Sequence, residues 1–573
     1  MLVDLITPRG EELRQDLQRI PWDVYPRPQM RRNNYVNLNG CWLFRTSTSP
    51  EVPATVPDPE LPKYYSKGIR VPFCPESQLS DIKEHFSEGE YLFYYRQFDC
   101  PECAEGCRVL LHIGAADQIA DIYVNQKHLF RHIGGYEAFT VDITDALLVR
   151  NELVIRCQDD LRDKTQPYGK QVMKRGGMWY TPVSGIWQTV WLECVPQNHI
   201  QKLHMENRGY SVKISVEPAM EGTVSIPELG DFPLVDGSVT VTPESPRLWS
   251  PESPNLYDFS VTCGEDRVES YFAIRSLETK TVDGIPRLCL NGKPYFFHGL
   301  LDQGYWPESL LTAPAPESYA DDILTMKSLG FNTLRKHIKI EPEEFYYQCD
   351  KLGMVVFQDM VNNGKYSFFR DTALPTVGIQ KWNDRLLHRN KESRREFLRQ
   401  MEAAVNQLKN HPSICYWTIF NEGWGQFDSD NVYEQFKKLD DTRFIDTTSG
   451  WFRRKKTDVD SRHVYFKPVR LKAADKPLVL SEFGGYSFKP EGHVFNTDQT
   501  YGYGKFEDLK EFEAAVEKLY FAEILPAFAN GLCAAIYTQV SDIEDETNGL
   551  WSYDRKVLKL TPEKMQSIAQ LFR

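Results

Sequence analysis

ICYWTIFNE (residues 414–422) and PLVLSEFGG (residues 477–485) decide the fold. Both are nearly unbroken apolar runs that carry a glutamate near the end, with glycine just beyond. A strand covered on both faces, as in an all-parallel sheet, reads this way. Similar runs surround them: PYFFHGL (294–300), FNTLRKH (331–337), MVVFQDM (354–360), RFIDTTSG (443–450), HVYF (463–466) and CAAIYTQ (533–539). Between them lie amphipathic stretches such as 319–329, 343–352 and 391–409. Eight buried strands with helical crossovers predict a (β/α)8 barrel over residues 276–573.

Upstream the texture changes. YLFYYRQF (91–98), RVLLHI (108–113), IADIYV (119–124), AFTVDI (138–143), ELVIRC (152–157) and QTVWLE (188–193) alternate with period two between turn-rich gaps. They predict an antiparallel β-sandwich over residues 1–197. A smaller version, with SVKISVE, SVTVTP and LYDFSVTC, predicts an immunoglobulin-like sandwich over 198–275.

Composition excludes several classes. A net charge of −13 repels phosphate backbones and argues against nucleic-acid binding. No apolar run reaches the length of a membrane span, and the N-terminus MLVDLITPRGEELRQDL lacks a basic segment followed by an apolar one. A cytoplasmic protein whose 12 cysteines are reduced thiols is the corresponding expectation. CPECAEGC (100–107) has a CxxC spacing, but no second pair elsewhere completes a four-ligand zinc site. A polar hairpin loop between the strands at 91–99 and 108–113 is the simpler reading.

In a (β/α)8 barrel the chemistry sits at the C-terminal strand ends. There strand four offers Asn421 and Glu422, strand seven Glu482, strand two Arg335 and His337, strand three Asp359, and strand six Tyr465. Two carboxylates facing one another across such a mouth are what glycoside hydrolysis requires. One protonates the leaving oxygen, and the other attacks the anomeric carbon. The sequence predicts Glu422 as the acid/base, among Trp417, Phe420 and Trp424, and Glu482 as the nucleophile. Arg335 is open to two roles, a core ion pair with Asp359 or a contact with Glu482.

At these residues the chain resembles glycoside hydrolase family 2, which includes β-galactosidases, β-glucuronidases and β-mannosidases. HPSICYWTIFNEGWG (411–425) resembles the family's acid/base signature, and PLVLSEFGG its nucleophile segment. NLNGCWLF (37–44) and SGIWQTVWLE (184–193) resemble the first and last strands of its jelly-roll domain. LWSPESPNLY (248–257) resembles the end of its immunoglobulin-like domain, and LNGKPYFFHGL (290–300) and LGFNTLRKH (329–337) the start of its barrel. The resemblance implies a jelly roll, an immunoglobulin-like sandwich and a TIM barrel in that order. It assigns acid/base and nucleophile to Glu422 and Glu482. Asn421, Arg335, His337, Asp302, Tyr465, Trp451, Trp424 and Tyr537 are the substrate-binding candidates.

The expected reaction is retaining hydrolysis of a terminal β-linked sugar, β-galactosidase-like, on a carbohydrate or glycoside substrate. No cofactor or metal is expected; a homo-oligomer is possible. A β-glycosidase for an acidic sugar is the alternative, and a non-catalytic carbohydrate-binding homologue a third reading. The Asn-x-Lys that grips the sugar carboxylate in β-glucuronidases has no match, since Asn548 has no lysine two residues on. Substitute cations would be Lys336, His337, Lys339 or the basic loop 368–392, with Arg370, Lys381, Arg385 and Arg389. That loop reads as a lid or as a solvated segment. The aromatic stretch 163–184, with Trp179 and Tyr180, is expected either to pack a domain interface or to narrow the mouth into a pocket.

Overall fold

The computed structural model describes residues 1–52, 60–103, 106–380 and 383–572, the side chain of Thr376 excepted. The N-terminal body is a two-sheet sandwich. Its six-stranded sheet runs in the order Lys67–Val71, Gly40–Ser47, Tyr91–Asp99, Arg150–Gln158, Ile119–Val124 and Lys127–Ile133. Its four-stranded sheet is Tyr35–Asn37, Val190–Val195, Arg108–Ile113 and Phe139–Asp142. Alternate residues, among them Trp42, Phe44, Tyr94, Leu111, Ile122, Ile155 and Leu192, fill the layer between them.

Two expectations are corrected here. The strands flanking residues 100–107 do not pair. Tyr91–Asp99 and Arg108–Ile113 belong to different sheets, so the segment crosses between sheets instead of turning a hairpin. Alternation says which face a residue takes, but not which strand lies beside it. Nor are all cysteines free thiols: Cys103 is joined to Cys194, on the strand that pairs with Arg108–Ile113, which removes Cys103 from any zinc site. Residues 104 and 105 lie outside the described residues.

The second body packs Lys202–Arg208, Ser211–Glu217 and Ser238–Val241 against Gly230–Leu234, Gly222–Ile226, Tyr257–Cys263 and Asp266–Phe272. This is the immunoglobulin-like sandwich, with Ile214, Val224, Phe259 and Val261 in its core. A small antiparallel sheet (Leu277–Val282, Ile285–Leu290, Lys293–Pro294) then leads into the barrel. Leu288 from it, with Trp249 and Ala273, joins Phe297, Leu301, Phe357 and Tyr416 in one buried cluster.

The barrel strands are β1 Phe297–Asp302, β2 Thr333–Lys336, β3 Val355–Asp359, β4 Ile414–Asn421, β5 Phe444–Ser449, β6 Asp460–Val464, β7 Leu478–Gly484 and β8 Leu532–Thr538. They pair in parallel in the order 5-4-3-2-1-8-7-6, with β5 against β6 closing the ring. Almost every strand residue is buried, because the barrel interior covers one face and the helices the other. The helix Lys391–Leu408 shows how the outer layer forms. Asn390 caps it by accepting from the amides of Glu392 and Ser393, and Phe397, Met401, Val405 and Leu408 face the strands. No helix among the described residues is long and apolar enough to cross a membrane.

Candidate active site

Because all eight strands run the same way, their C-terminal ends share one mouth. β4 delivers Asn421 and Glu422. Glu422 has φ +51°, a left-handed conformation that a glutamate adopts only where its surroundings impose it. Its amide donates to the carbonyl of Ser449 at 2.9 Å, which anchors the kink to β5. β7 delivers Glu482. On β6 the register with β7 shifts between Arg462 and His463, which sets His463 opposite Glu482.

His463 joins the two carboxylates. Its Nδ1 lies 2.7 Å from Glu422 Oε1 and 3.5 Å from Glu482 Oε2. One carboxylate oxygen from each glutamate and the His463 nitrogen all lie within 4.8 Å of one another. This is the only group of three or more His, Cys, Asp or Glu that converges in this way among the described residues. Three such atoms could hold a cation. However, the Arg335 guanidinium already stands 3.0 Å from Glu482 and would oppose one.

Arg335 plays both roles open to it. Its Nε donates to Asp359 Oδ1 at 3.0 Å, its Nη1 to Glu482 Oε1 at 3.0 Å, and its Nη2 to Asn421 Oδ1 at 2.9 Å. The planar fork therefore sets three acceptors at once. Asn421 spends its oxygen on Arg335, which turns its amide nitrogen outward as a donor. Tyr465 lies just past the end of β6 and donates to Glu482 Oε2 at 2.6 Å; its hydroxyl is also 2.9 Å from Thr538 Oγ1. Burial alone would raise the Glu482 carboxyl, but His463, Arg335 and His337 outweigh it and hold the group at about 2. The Glu482 side chain is 7% exposed and that of Glu422 is 22%, so Glu422 is the more open of the two to the mouth.

Other expected residues divide. Trp451 stands edge-on to His463, with ring centroids 5.7 Å apart, and Trp424 lies buried beneath Trp179 at 5.1 Å. His337 turns to Asp359, with Nδ1 2.6 Å from Oδ2. Asp302 is occupied by Lys336 at 2.7 Å. Tyr537 is not in the mouth. It is fully buried on the helix side of β8, packed on Phe483 and accepting from the amide of Tyr486. In a strand, adjacent residues face opposite ways, and Thr538 is the one turned inward.

The substitute cations are taken up elsewhere. Lys336 pairs with Asp302 and Glu341, Lys339 with Glu341, Arg370 with Asp371 and Arg385 with Asp428, while Arg389 donates to the carbonyl of Leu386. Lys381 lies outside the described residues. Loop 368–392 keeps Phe368 and Phe369 two-thirds exposed, and just before it Tyr366 touches Trp179 and Trp424.

The jelly-roll loop crosses the mouth. Tyr180 is fully buried against Tyr305, whereas Trp179 is half-buried over Trp424. Sequence reasoning missed His463 and Thr538. Of these, His463 had a signal, because alternation along a strand that includes Tyr465 turns His463 to the same side.

Sequence comparison decides the family. A model described as "Glycosyl hydrolases family 2, TIM barrel domain" matches residues 283–492, and one described as "Glycosyl hydrolases family 2" matches residues 192–275. The chain belongs to glycoside hydrolase family 2. Relatives of this family 2 chain include a β-galactosidase of Thermoanaerobacter pseudethanolicus, 22% identical over 70% of this chain and 53% of the relative. A β-glucuronidase of Bacteroides fragilis is 25% identical over 67% of this chain and 56% of the relative. The matched region thus spans about half the length of these curated relatives. Among solved structures, a Bifidobacterium dentium β-glucuronidase complexed with coumarin-3-O-glucuronide aligns with TM-score 0.74 at 18% identity, covering 95% of this chain and 98% of that one. A family 2 β-galacturonidase from Eisenbergiella tayi bound to galacturonate aligns with TM-score 0.68 at 18% identity, covering 96% and 99%. These likenesses extend the three-part fold over nearly the whole chain.

Proposed function

We propose that this family 2 protein is a retaining exo-β-glycosidase that releases a terminal neutral sugar, β-galactosidase-like, with domains dividing near residues 197 and 275. The observation that carries the reading is the approach of Glu422 and Glu482, whose oxygens lie within 4.8 Å. Retaining enzymes hold their carboxyl groups about 5–5.5 Å apart, and inverting enzymes leave a wider gap for water.

The chemistry follows from the contacts. Ionised Glu482 attacks the anomeric carbon while Glu422 passes its proton to the departing oxygen. The carbon–oxygen bond breaks and a glycosyl ester forms on Glu482. Glu422, now a carboxylate, takes a proton from water, and that water attacks the anomeric carbon and frees Glu482. Arg335 and Tyr465 hold the nucleophile in place, and the Asn421 amide is free to donate to the sugar 2-hydroxyl.

A neutral sugar is supported by the pairing of Lys336, Lys339, Arg370 and Arg385 with carboxylates of the chain itself. A uronate would have to be buried without those cations, which is costly. The acidic-sugar reading draws on the relatives named β-glucuronidase. The test is kcat/KM for aryl β-galactoside against aryl β-glucuronide, with Glu482→Gln abolishing whichever is turned over. Glucuronide favoured tenfold or more overturns the neutral-sugar reading, and no turnover of any aryl β-glycoside overturns the enzyme.

A further inference from the structure

A cavity of about 1000 Å³ lies where the N-terminal segment, the immunoglobulin-like sandwich and the helix Glu343–Leu352 meet, and none of its lining residues builds the mouth. Its floor is the outer face of the sheet formed by Gly230–Leu234, Gly222–Ile226, Tyr257–Cys263 and Asp266–Phe272. Val224, Ile226, Phe259, Val261 and Val268 point into the sandwich core, so their neighbours along each strand face outward. The register sets four of these in one row: Asp231 beside Ser225, Ser225 beside Ser260, and Ser260 beside Glu269. Arg31 extends the row, because its backbone exchanges two 2.8 Å hydrogen bonds with that of Glu269. With neighbouring strands about 4.8 Å apart, these five residues span roughly 19 Å.

Ser260 is 6% exposed, yet its hydroxyl takes no hydrogen bond among the described residues. A buried hydroxyl that faces a cavity and has no partner in the protein is satisfied only from outside. The same cavity holds the Ser225 hydroxyl, the Asp231 and Asp258 carboxylates and the Arg31 guanidinium, which also have no side-chain partner among the described residues. Tyrosines form the walls. Tyr347 stands on the helix with its ring 5.3 Å from Tyr271, whose own hydroxyl donates to Asp350 at 2.7 Å. Tyr35 rises opposite from the N-terminal segment, edge-on to Tyr25 at 4.9 Å. Tyr347 and Tyr35 are half-buried, and their hydroxyls take no hydrogen bond among the described residues.

We propose that this groove is a second carbohydrate site, which holds a stretch of a neutral β-linked oligosaccharide outside the catalytic mouth. The inference goes beyond the catalytic reading and stands without it. Sugar hydroxyls both donate and accept, so one chain serves the carboxylates, the serines and Arg31 together. Tyr35 and Tyr347 offer apolar ring faces to the C–H faces of the sugar and polar tips to its hydroxyls. The row is too long for a single sugar ring, and its polar groups recur along it. Five carboxylates against two guanidiniums line the groove, which repels an acidic chain.

The experiment titrates β-1,4-galactotetraose, cellotetraose and tetragalacturonate into the full chain carrying Glu482→Gln, which prevents turnover, and reads binding by calorimetry. Tyr347→Ala and the exposed pair Asp231→Ala/Asp258→Ala are added to that background, with melting temperature as the check on folding. At least one neutral tetrasaccharide should bind, and each groove variant should weaken it about tenfold, the worth of a stacked ring or a charge-assisted hydrogen bond. The same substitutions in the otherwise unchanged enzyme should leave kcat/KM for aryl β-galactoside unaltered. Binding of neither neutral chain overturns the site, as does binding that both variants leave unchanged, since it would then belong to the mouth. Tighter binding of tetragalacturonate than of the neutral chains also overturns it. So does a dimer in light scattering that Tyr347→Ala converts to monomer, because a second copy would then occupy the groove. If no aryl glycoside is turned over, the enzyme reading fails by itself and the calorimetry still decides this one.

Discussion

Nδ1 of His463 lies 2.7 Å from Oε1 of Glu422, on the side of the imidazole that also faces Glu482. A ring nitrogen this close to the proposed acid orients its carboxyl. His463→Gln is expected to lower kcat/KM about 10- to 100-fold, the worth of a hydrogen bond to a charged group. The loss should grow as the aryl leaving group becomes a poorer one, since those substrates need the proton most. An equal loss for good and poor leaving groups would show that His463 serves Glu482 instead.

Arg335 is fully buried and satisfies Asp359, Glu482 and Asn421 together. Arg335→Met leaves two carboxylates buried without their partner, which is expected to cost about 3–5 kcal/mol of stability in denaturant titration. Arg335→Lys keeps the charge but loses the fork. It should recover most of the stability and little of the activity. Full recovery of kcat by lysine would mean that charge alone matters.

Trp179 and Tyr180 are neighbours with different duties. Tyr180 is fully buried against Tyr305. Tyr180→Ala should therefore destabilise the protein by about 3 kcal/mol or more, as other large-to-small core changes do. Trp179 is half-buried over Trp424 at the mouth, so Trp179→Ala is expected to fold normally and to raise kcat/KM for longer glycosides relative to aryl monosides. Unchanged selection by chain length would assign Trp179 to the domain interface alone.

Buried carboxyls predict how stability follows pH. Burial pushes Glu76 up to about 8, and Glu308 and Glu544 up to about 7. A raised carboxyl means that the folded state holds more protons than the unfolded one above the ordinary glutamate range, near 4.3. Their contribution is full below that range and is lost as pH rises to about 8. Glu482 and Asp440 run the other way: despite burial, His463 and Arg335 in one case and Arg443 in the other hold them at about 2. Their contribution is full above the carboxylate range and is lost as pH falls through it toward 2. The melting temperature should therefore peak near about pH 5 and fall on both sides. A flat profile between pH 5 and 8 would contradict the buried, protonated state of Glu76, Glu308 and Glu544.

Much of this was legible in the chain itself. Strands β4 and β7 announced themselves because burial on both faces leaves no room for polar alternation, and parallel topology then sends Glu422 and Glu482 to one mouth. Arg335, Asn421 and Tyr465 could be placed beside them because each ends or follows a recognisable strand. Other features belonged to the tertiary structure alone. Facing of single residues needs exact strand register: Tyr537 turned to the helices and Thr538 to the mouth, and a shift between Arg462 and His463 brought His463 level with Glu482. Contacts between distant segments are set by packing, and a local pattern of residues carries no information about them. Cys103 found Cys194, which lies 91 residues further along the chain. Periodicity reports whether a side chain is covered; only the folded chain decides by what.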